Sequence, residues 1–506
     1  MLVIGPPFFS LATLNQLSRQ RPMMRPRSRF AAFLTLLGLA FSLGCHRAGD
    51  EVQLGAIERV NPDVGTLGVF TFPYYTSTAP LDGDGVVAVY MRQEQGFRPV
   101  VYRRAASASA GFGGEQYLTP ESMRDTISVV PDLRPGPAAN ELYVTWQARR
   151  QATGDKFVLF RRSTDGGATW EPERRINSQP TSFIPALATD ADGGIYAAWV
   201  DERKHGFRLY FNRSLDHGQT WLPEDVSLAG NDKYGIVISV DVATDGKGTL
   251  IVVWEEDLGQ GRQVHSIASN DRGATWTDPM VVDDNTGRFS PSAPRIVFAG
   301  GRAVVAWTAA ASGKAVRGEV WSDVSADGGK TWGKDVLLSG LDGGIPPRFH
   351  LTAVDGTARI VFHAGPTGGP WRIYFDELGA DGAWSGGDAL PVVSDGDGKF
   401  SNPRLAVDRD GALYVAYEEH QKQVRLSRSI DGGKTWTALP EPVYTLADPQ
   451  SGDAVHYPQV AVANGVAYVT WEVWTSTKNT VKTLADAQNQ VAPADLFIRR
   501  VTFPRR

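Results

Sequence analysis

Cysteine is all but missing from this chain: Cys45 is the only one in 506 residues. No intramolecular disulfide can form, so the fold must be held by its core alone. The eight histidines are scattered, and there is no His-Glu-x-x-His, cysteine cluster, phosphate-binding glycine loop or catalytic-serine motif. No metal and no cofactor is expected. A dominant charge is missing too: the net charge of −5 is spread along the chain and leaves no basic stripe for nucleic acid. What remains is 42% hydrophobic, with Gly 54, Pro 31 and many Val, Thr, Tyr and Trp, a composition suited to short strands joined by tight turns.

One pattern organises the rest. Ser163-Thr-Asp165-Gly-Gly167-Ala-Thr169-Trp170 returns as Ser214 to Trp221, Ser269 to Trp276, Ser325 to Trp332 and Ser429 to Trp436, with an eroded copy at Asp381-Gly-Ala-Trp384. Its Asp can accept backbone N–H groups of its own turn, its Gly supplies a positive φ, and its Trp starts a strand with a large apolar anchor. Asp165, Asp216, Asp271, Asp327 and Asp431 are therefore read as structural. The Asp-x-Asp-Gly runs at Asp190 and Asp408 are read as hairpin turns, because the other ligands of a calcium loop are absent.

Upstream of each box lie two more strand-like runs, giving strand A, strand B, strand C, box and strand D. The aromatic ending strand B provides a ruler: Tyr90, Trp146, Trp199, Trp254, Trp307, His363, Tyr417 and Trp471, with gaps by subtraction of 56, 53, 55, 53, 56, 54 and 54 residues. Eight four-stranded antiparallel units from about Leu67 to Phe503 predict an all-β protein, a β-propeller of eight blades. Seven blades is the fallback, since the first unit has no recognisable box. The eighth unit runs out of chain after strand C, so residues Glu51 to Val60 are expected to supply its outer strand and close the ring. The tryptophans on the ruler and in the boxes are expected in the core, leaving Trp321, Trp371 and Trp474 freer.

The repeated box resembles the Asp-box (BNR) repeat of the sialidase superfamily. Sialidases close at six blades, so eight is a departure, and their Arg-Ile-Pro motif is absent; Pro294-Arg295-Ile296 carries its residues in another order. The resemblance implies a glycosidase site on the rim of the B–C loops, opposite the boxes, where an arginine cluster grips a sugar carboxylate and a Tyr paired with a Glu is the nucleophile. On this chain it implies Tyr457 as the tyrosine, Glu255 or Glu256 as its partner, Asp201 as a further catalytic carboxylate, and Arg288 or Arg348 in the cluster. Strand B repeatedly ends in acid on that rim, and the mouth is expected to bind a hydroxylated ligand through Arg92, Arg149, Glu202, Arg288, Arg348, His350, Glu418, Glu419 and Glu472. A non-catalytic scaffold using the same rim is the alternative. The expected partner is a glycan or an envelope protein.

Residues Met23 to Cys45 read as an export signal: Arg25, Arg27 and Arg29, an apolar run from Phe30 to Leu43, then Gly44-Cys45. The run is too short to span a bilayer comfortably. Cys45 stands where a bacterial lipoprotein signal places its lipidated residue, although Ser42 stands where that signal usually has Leu. Residues 1–22 precede the signal, with translation expected to begin at Met23 or Met24. Residues 46–506 are expected to form one exported domain, touching the membrane only through its lipid.

Overall fold

The computed structural model describes residues 52–60, 76–92, 94, 97–203, 206–229, 235–257, 259, 261–284, 289–311, 318–339, 348–366, 369–385, 390–392, 398–474 and 494–504. The export segment, Cys45 and Arg288 lie outside them. The described strands form eight sheets, seven of them built on a path of four antiparallel strands in sequence order, one of these with a short fifth strand, Tyr444–Thr445, at its side. Apart from one 3-10 turn at Glu121–Met123, they contain no helix.

Blade 1 is Thr76–Pro80, Val86–Met91, Val100–Ala105 and Gln116–Tyr117, and blade 2 is Thr126–Pro135, Leu142–Arg150, Lys156–Ser163 and Arg174–Arg175. Blades 3 to 7 repeat the scheme with second strands Ile195–Asp201, Leu250–Asp257, Arg302–Ala311, Thr357–Ala364 and Leu413–Glu419. Blade 8 takes Ala454–Ala463, Val466–Trp474 and Ala494–Thr502 from the end of the chain and its outer strand, Gln53–Arg59, from the beginning. The first strands touch one another from blade to blade, and that of blade 8 touches that of blade 1. The ring is therefore an eight-bladed propeller closed by an N-terminal strand, as the spacing of the ruler predicts.

The second strands are buried almost from end to end; Ile195–Asp201 has no exposed residue. A blade inside a ring is covered on both faces, so its central strand reads as a continuous apolar run instead of alternating. Trp146, Trp199, Trp254, Trp307 and Trp471 are at most 2% exposed and fill these interfaces. The box tryptophans are half-buried and meet the third strand of the preceding blade edge-on: Trp170 on Tyr102, Trp221 on Phe160, Trp276 on Phe211 and Trp436 on Phe375.

Two expectations about strand limits are corrected. The aromatic does not end the second strand, which runs on for one to four more residues, so Asp201, Glu255, Glu256, Glu418, Glu419 and Glu472 are paired strand residues and not loop ends, while Glu202 lies just past its strand. Nor do the box tryptophans generally start the fourth strand, which follows Trp170 only at Arg174 and Trp221 only at Val226.

Every complete box closes in the same way. Asp165 Oδ1 accepts the Thr169 N–H at 2.9 Å and the Ser163 hydroxyl at 2.8 Å, its Oδ2 accepts the Thr169 hydroxyl at 2.6 Å, and Ser163 Oγ accepts the Gly167 N–H at 2.8 Å. The other four complete boxes repeat these contacts, and these bonds hold Asp216, Asp271, Asp327 and Asp431 down at about 2, against any burial. Glycine is required at the turn: φ is +82° at Gly218, and a Cβ there would lie 2.4 Å from the Phe160 ring. Box turns bond to the A–B turns of the same blade, as in His217 N–H to Gly193 O, which puts both on the face away from the B–C loops.

The seams between blades are not equally well matched. Between blades 2 and 3, Asn177 and Asn212 accept backbone N–H groups through Oδ1 and donate through Nδ2, Asn212 to Ile176 O and Leu222 O at 3.0 Å each. Between blades 4 and 5 the equivalent positions are Asp283 and Asp323, whose Oδ1 atoms accept Val264 N–H and Val324 N–H at 2.6 Å. Asp323 Oδ2 is buried with no partner where Asn212 has its amide. Asp335 and Asp284 add two more acids, each accepting the backbone N–H of the other through its Oδ2. Burial first, then mutual repulsion through Asp284, pushes Asp283 and Asp323 up to about 6 and Asp335 up to about 7.

A carboxyl raised in the folded state favours the protonated native form, so stability falls as pH rises from the ordinary value of 3.8 through about 6. Asp323→Asn is expected to remove that loss and restore the amide geometry of Asn212. Urea unfolding should show the variant gaining on wild type between pH 4 and 6.5 and ahead by about 2 kcal/mol at pH 8.

Candidate functional site

The B–C rim is built where the second strand of one blade meets the first strand of the next. Several first strands carry a bulge there, with a residue at positive φ followed by proline: Ala293 (φ 53°), Asn402 (φ 51°) and Tyr457 (φ 53°). A non-glycine residue in that region needs outside support. The acid after the ruler aromatic supplies it. Glu418 Oε1 accepts the Tyr457 N–H and Asn402 Nδ2, both at 2.7 Å, while Oε2 accepts the Ser401 hydroxyl at 3.1 Å. Glu255 does the same three blades away: Oε2 accepts the Ala293 N–H and the Ser239 hydroxyl at 3.1 Å, and Oε1 takes Arg262 at 2.6 Å.

Glu418 therefore pins Tyr457 by its backbone. The carboxyl is completely buried, and burial pushes it up to about 7 against the pull of Asn402, the Tyr457 N–H, Ser401 and Arg348. Above the pin, Tyr457, His456 and Trp474 form an aromatic shelf, with His456 to Trp474 at 4.7 Å and Tyr457 to Trp474 at 5.9 Å, both edge-on. Glu472 Oε2 fixes the indole by accepting Trp474 Nε1 at 2.9 Å. The exposed Arg348 sets its guanidinium 5.8 Å from the Tyr457 ring centre. His456 stays neutral, brought down to about 4 by burial and by Arg348. A second aromatic, Trp371, stands beside His363 with Lys399 Nζ 5.6 Å over its ring.

The rim of blades 6 to 8 thus brings together Arg348, Glu418, Glu472 and Tyr457 from the residues singled out in the sequence. The others lie elsewhere. Glu255 and Glu256 belong to blade 4, and among the described residues neither bonds to Tyr457, so the tyrosine–glutamate pair implied by the sialidase resemblance is not assembled. Glu256 accepts Trp254 Nε1 at 3.0 Å inside the blade, beside a neutral His265. Asp201 of blade 3 is fully buried and clamped by Arg203, Thr181 and Ser182, which hold it below the usual carboxylate range despite burial. Glu202 pairs with Lys156 at 2.5 Å, Glu419 with Arg425 at 2.6 Å, and Arg92 with Glu115. Arg149 is exposed at the end of its strand in blade 2. His350 lies on the first strand of blade 6, where its Nδ1 accepts the Leu405 N–H at 3.3 Å.

Sequence reading missed Asn402, Ser401 and Lys399. A signal existed for the first: Asn402-Pro403, Tyr457-Pro458 and Ala293-Pro294 occupy the same place in their units. Among the described residues no group of three or more acidic, imidazole or thiol side chains is arranged to hold a metal ion.

Removing the pin has a predictable cost. Glu418→Ala leaves the Tyr457 N–H and Asn402 amide buried without an acceptor and is expected to lower unfolding stability by about 2 to 3 kcal/mol at pH 7. Glu418→Gln keeps an acceptor and should cost under about 1 kcal/mol. Equal losses in chemical denaturation would contradict this role.

A family model described as the BNR repeat-like domain matches residues 139–415. A xyloglucanase of Paenibacillus is 25% identical over 328 residues, 56% of this chain and 30% of that enzyme, so the chain spans under a third of the length of this relative. Among solved structures, a Dyadobacter fermentans protein of unknown function is 15% identical over 75% of this chain and 95% of its own, at a TM-score of 0.43. The Trypanosoma rangeli sialidase in complex with 2,3-difluorosialic acid is 15% identical over 66% of this chain and 55% of its own, at 0.34. Neither score bears on the chemistry of the rim. The family match covers more than half of the 506 residues and falls on the repeat that builds the blades, so this chain belongs to the BNR repeat-like domain family.

Proposed function

We propose that this propeller recognises a glycan on the rim of blades 6 to 8, and that the protein is exported and held to the cell envelope by lipid on Cys45. The observation that carries the first part is the shelf of Tyr457, His456 and Trp474 beside the exposed Arg348. Half-buried aromatic faces take the C–H faces of a sugar ring, and flanking charged groups bond its hydroxyls or a carboxylate. Membership of the repeat family and similarity to a glycan-acting enzyme support the same reading.

Recognition is supported better than hydrolysis of the exo-sialidase kind. That chemistry needs a carboxylate at the tyrosine, and Glu418, which accepts the Tyr457 N–H, lies fully buried beneath its backbone.

Binding to a glycan panel that includes sialosides and xyloglucan oligosaccharides tests the site. Trp474→Ala and Tyr457→Ala are each expected to weaken binding at least tenfold, whereas the box variant Asp165→Asn leaves it intact. Turnover of fluorogenic sialosides that is lost in Tyr457→Phe would restore the hydrolase. Binding to no glycan, with specific capture of an envelope protein, would replace both readings by the scaffold. For the anchor, Cys45→Ala is expected to move the protein from the membrane fraction to the soluble fraction and to abolish incorporation of labelled palmitate.

A further inference from the structure

Of the three tryptophans that stand off the ruler and outside the boxes, two lie on the B–C rim, and the shelf uses only Trp474. The other, Trp371, comes just ahead of the third strand of blade 6 and is tied to blade 7. Its N–H donates to Gly398 O at 3.1 Å, and its carbonyl accepts the Phe400 N–H at 3.2 Å. The indole Nε1 donates to Pro366 O at 3.1 Å, and the buried His363 backs the ring at 6.0 Å. Glycine is needed beside it, because a Cβ on Gly365 would lie 2.7 Å from Trp371 Cδ1. A half-buried indole fixed at backbone and ring is a flat apolar face held in place at the surface.

Trp371 and the shelf flank a single turn. His420-Gln421, the B–C turn of blade 7, has both residues at positive φ, 53° and 57°. The His420 N–H donates to Lys399 O at 2.9 Å, and Lys399 is bridged to Trp371. On the other side Gln421 O accepts the Val455 N–H at 2.8 Å, one residue before His456 of the shelf. Backbone contacts therefore run from one aromatic face to the other. Arg348 makes a second link. Its N–H meets His363 Nδ1 at 3.3 Å behind Trp371, and its guanidinium stands 5.8 Å from the Tyr457 ring centre, so this side chain of blade 6 reaches past blade 7 to blade 8. The exposed side chains around the turn are hydrogen-bonding ones: Lys399, His420, Gln421 and Arg348.

A single sugar ring occupies one aromatic face. Two fixed faces with a polar turn between them suit a ligand that continues from one to the other. We infer that the rim takes an internal stretch of a linear polysaccharide, with one unit on the shelf of Tyr457 and Trp474, another on Trp371, and His420 and Gln421 meeting hydroxyls of the units between. This inference rests on the glycan reading of the shelf and names its ligand class: a chain, not a lone terminal sugar. Joining two subsites in one ligand makes the second contact intramolecular, so affinity depends on chain length.

Isothermal titration of the purified protein with cello-oligosaccharides, xyloglucan oligosaccharides and oligogalacturonides, each in a series of rising length, tests the inference. In at least one series affinity is expected to rise about tenfold or more with length, then level off once the chain spans both faces. Trp371→Ala should abolish that rise and leave the shortest ligand bound as before, whereas Trp474→Ala should weaken binding at every length. Trp371→Leu keeps apolar bulk without the flat face and repeats the test if the alanine variant does not fold. Affinity independent of length in every series, or a rise that survives loss of the Trp371 indole, overturns the chain, while the glycan reading still stands on the losses in Trp474→Ala. Binding confined to a sialoside, through its terminal sugar, overturns the chain in the same way. Binding to no saccharide of any length removes the glycan reading and this inference together.

Discussion

A sheet that is apolar on both faces has to be covered on both. Each blade here has a second strand with almost no exposed residue, and it is stable only between two neighbours. That requirement explains most of the architecture. It sets the ring, it puts a ruler tryptophan and a box tryptophan at successive interfaces, and it forbids an open edge where the last blade meets the first. The box turns are secondary to it: their aspartates tie local loops so that the tryptophan arrives at the next interface at the right angle.

The same requirement decides what the sequence can and cannot disclose. Blade number, strand order and the closing strand were legible because each depends on local signals repeated at a fixed interval: an aromatic, a glycine at positive φ, a Ser-x-Asp turn. Even the eroded sixth box keeps its function, since Trp384 is buried and bonds Ser322 Oγ at 3.0 Å much as Trp332 bonds Ser266. The site was legible only in part. Arg348, Glu418, Glu472 and Tyr457 do converge, but Glu255 and Asp201 are consumed inside other interfaces. The sequence shows acids just after the ruler aromatic in four of the eight units and cannot show which blade faces which. The resemblance to sialidases placed Tyr457 and Glu255 as partners, and a ring of eight separates what a ring of six could bring together.

The acids after the ruler aromatic also show how a repeat turns a structural device into a specific surface. Glu255 and Glu418 perform the same task, bracing a bulge of the following blade. In blade 5 the braced residue is Ala293 and nothing projects from it. In blade 8 it is Tyr457, which the bulge presents beside Trp474. One side chain at a braced position separates plain packing from a candidate recognition surface.

The outer strand of blade 8 comes from residues 53–59 and pairs with residues 497–502, across more than 400 residues of chain. A ribosome delivers Gln53–Arg59 first and its partner last. The strand must therefore wait, unpaired, through the synthesis of every other blade. Joining such distant segments carries the largest loop-closure entropy in the molecule, and a binder that held Gln53–Arg59 before its partner was made would leave blade 8 without its outer strand.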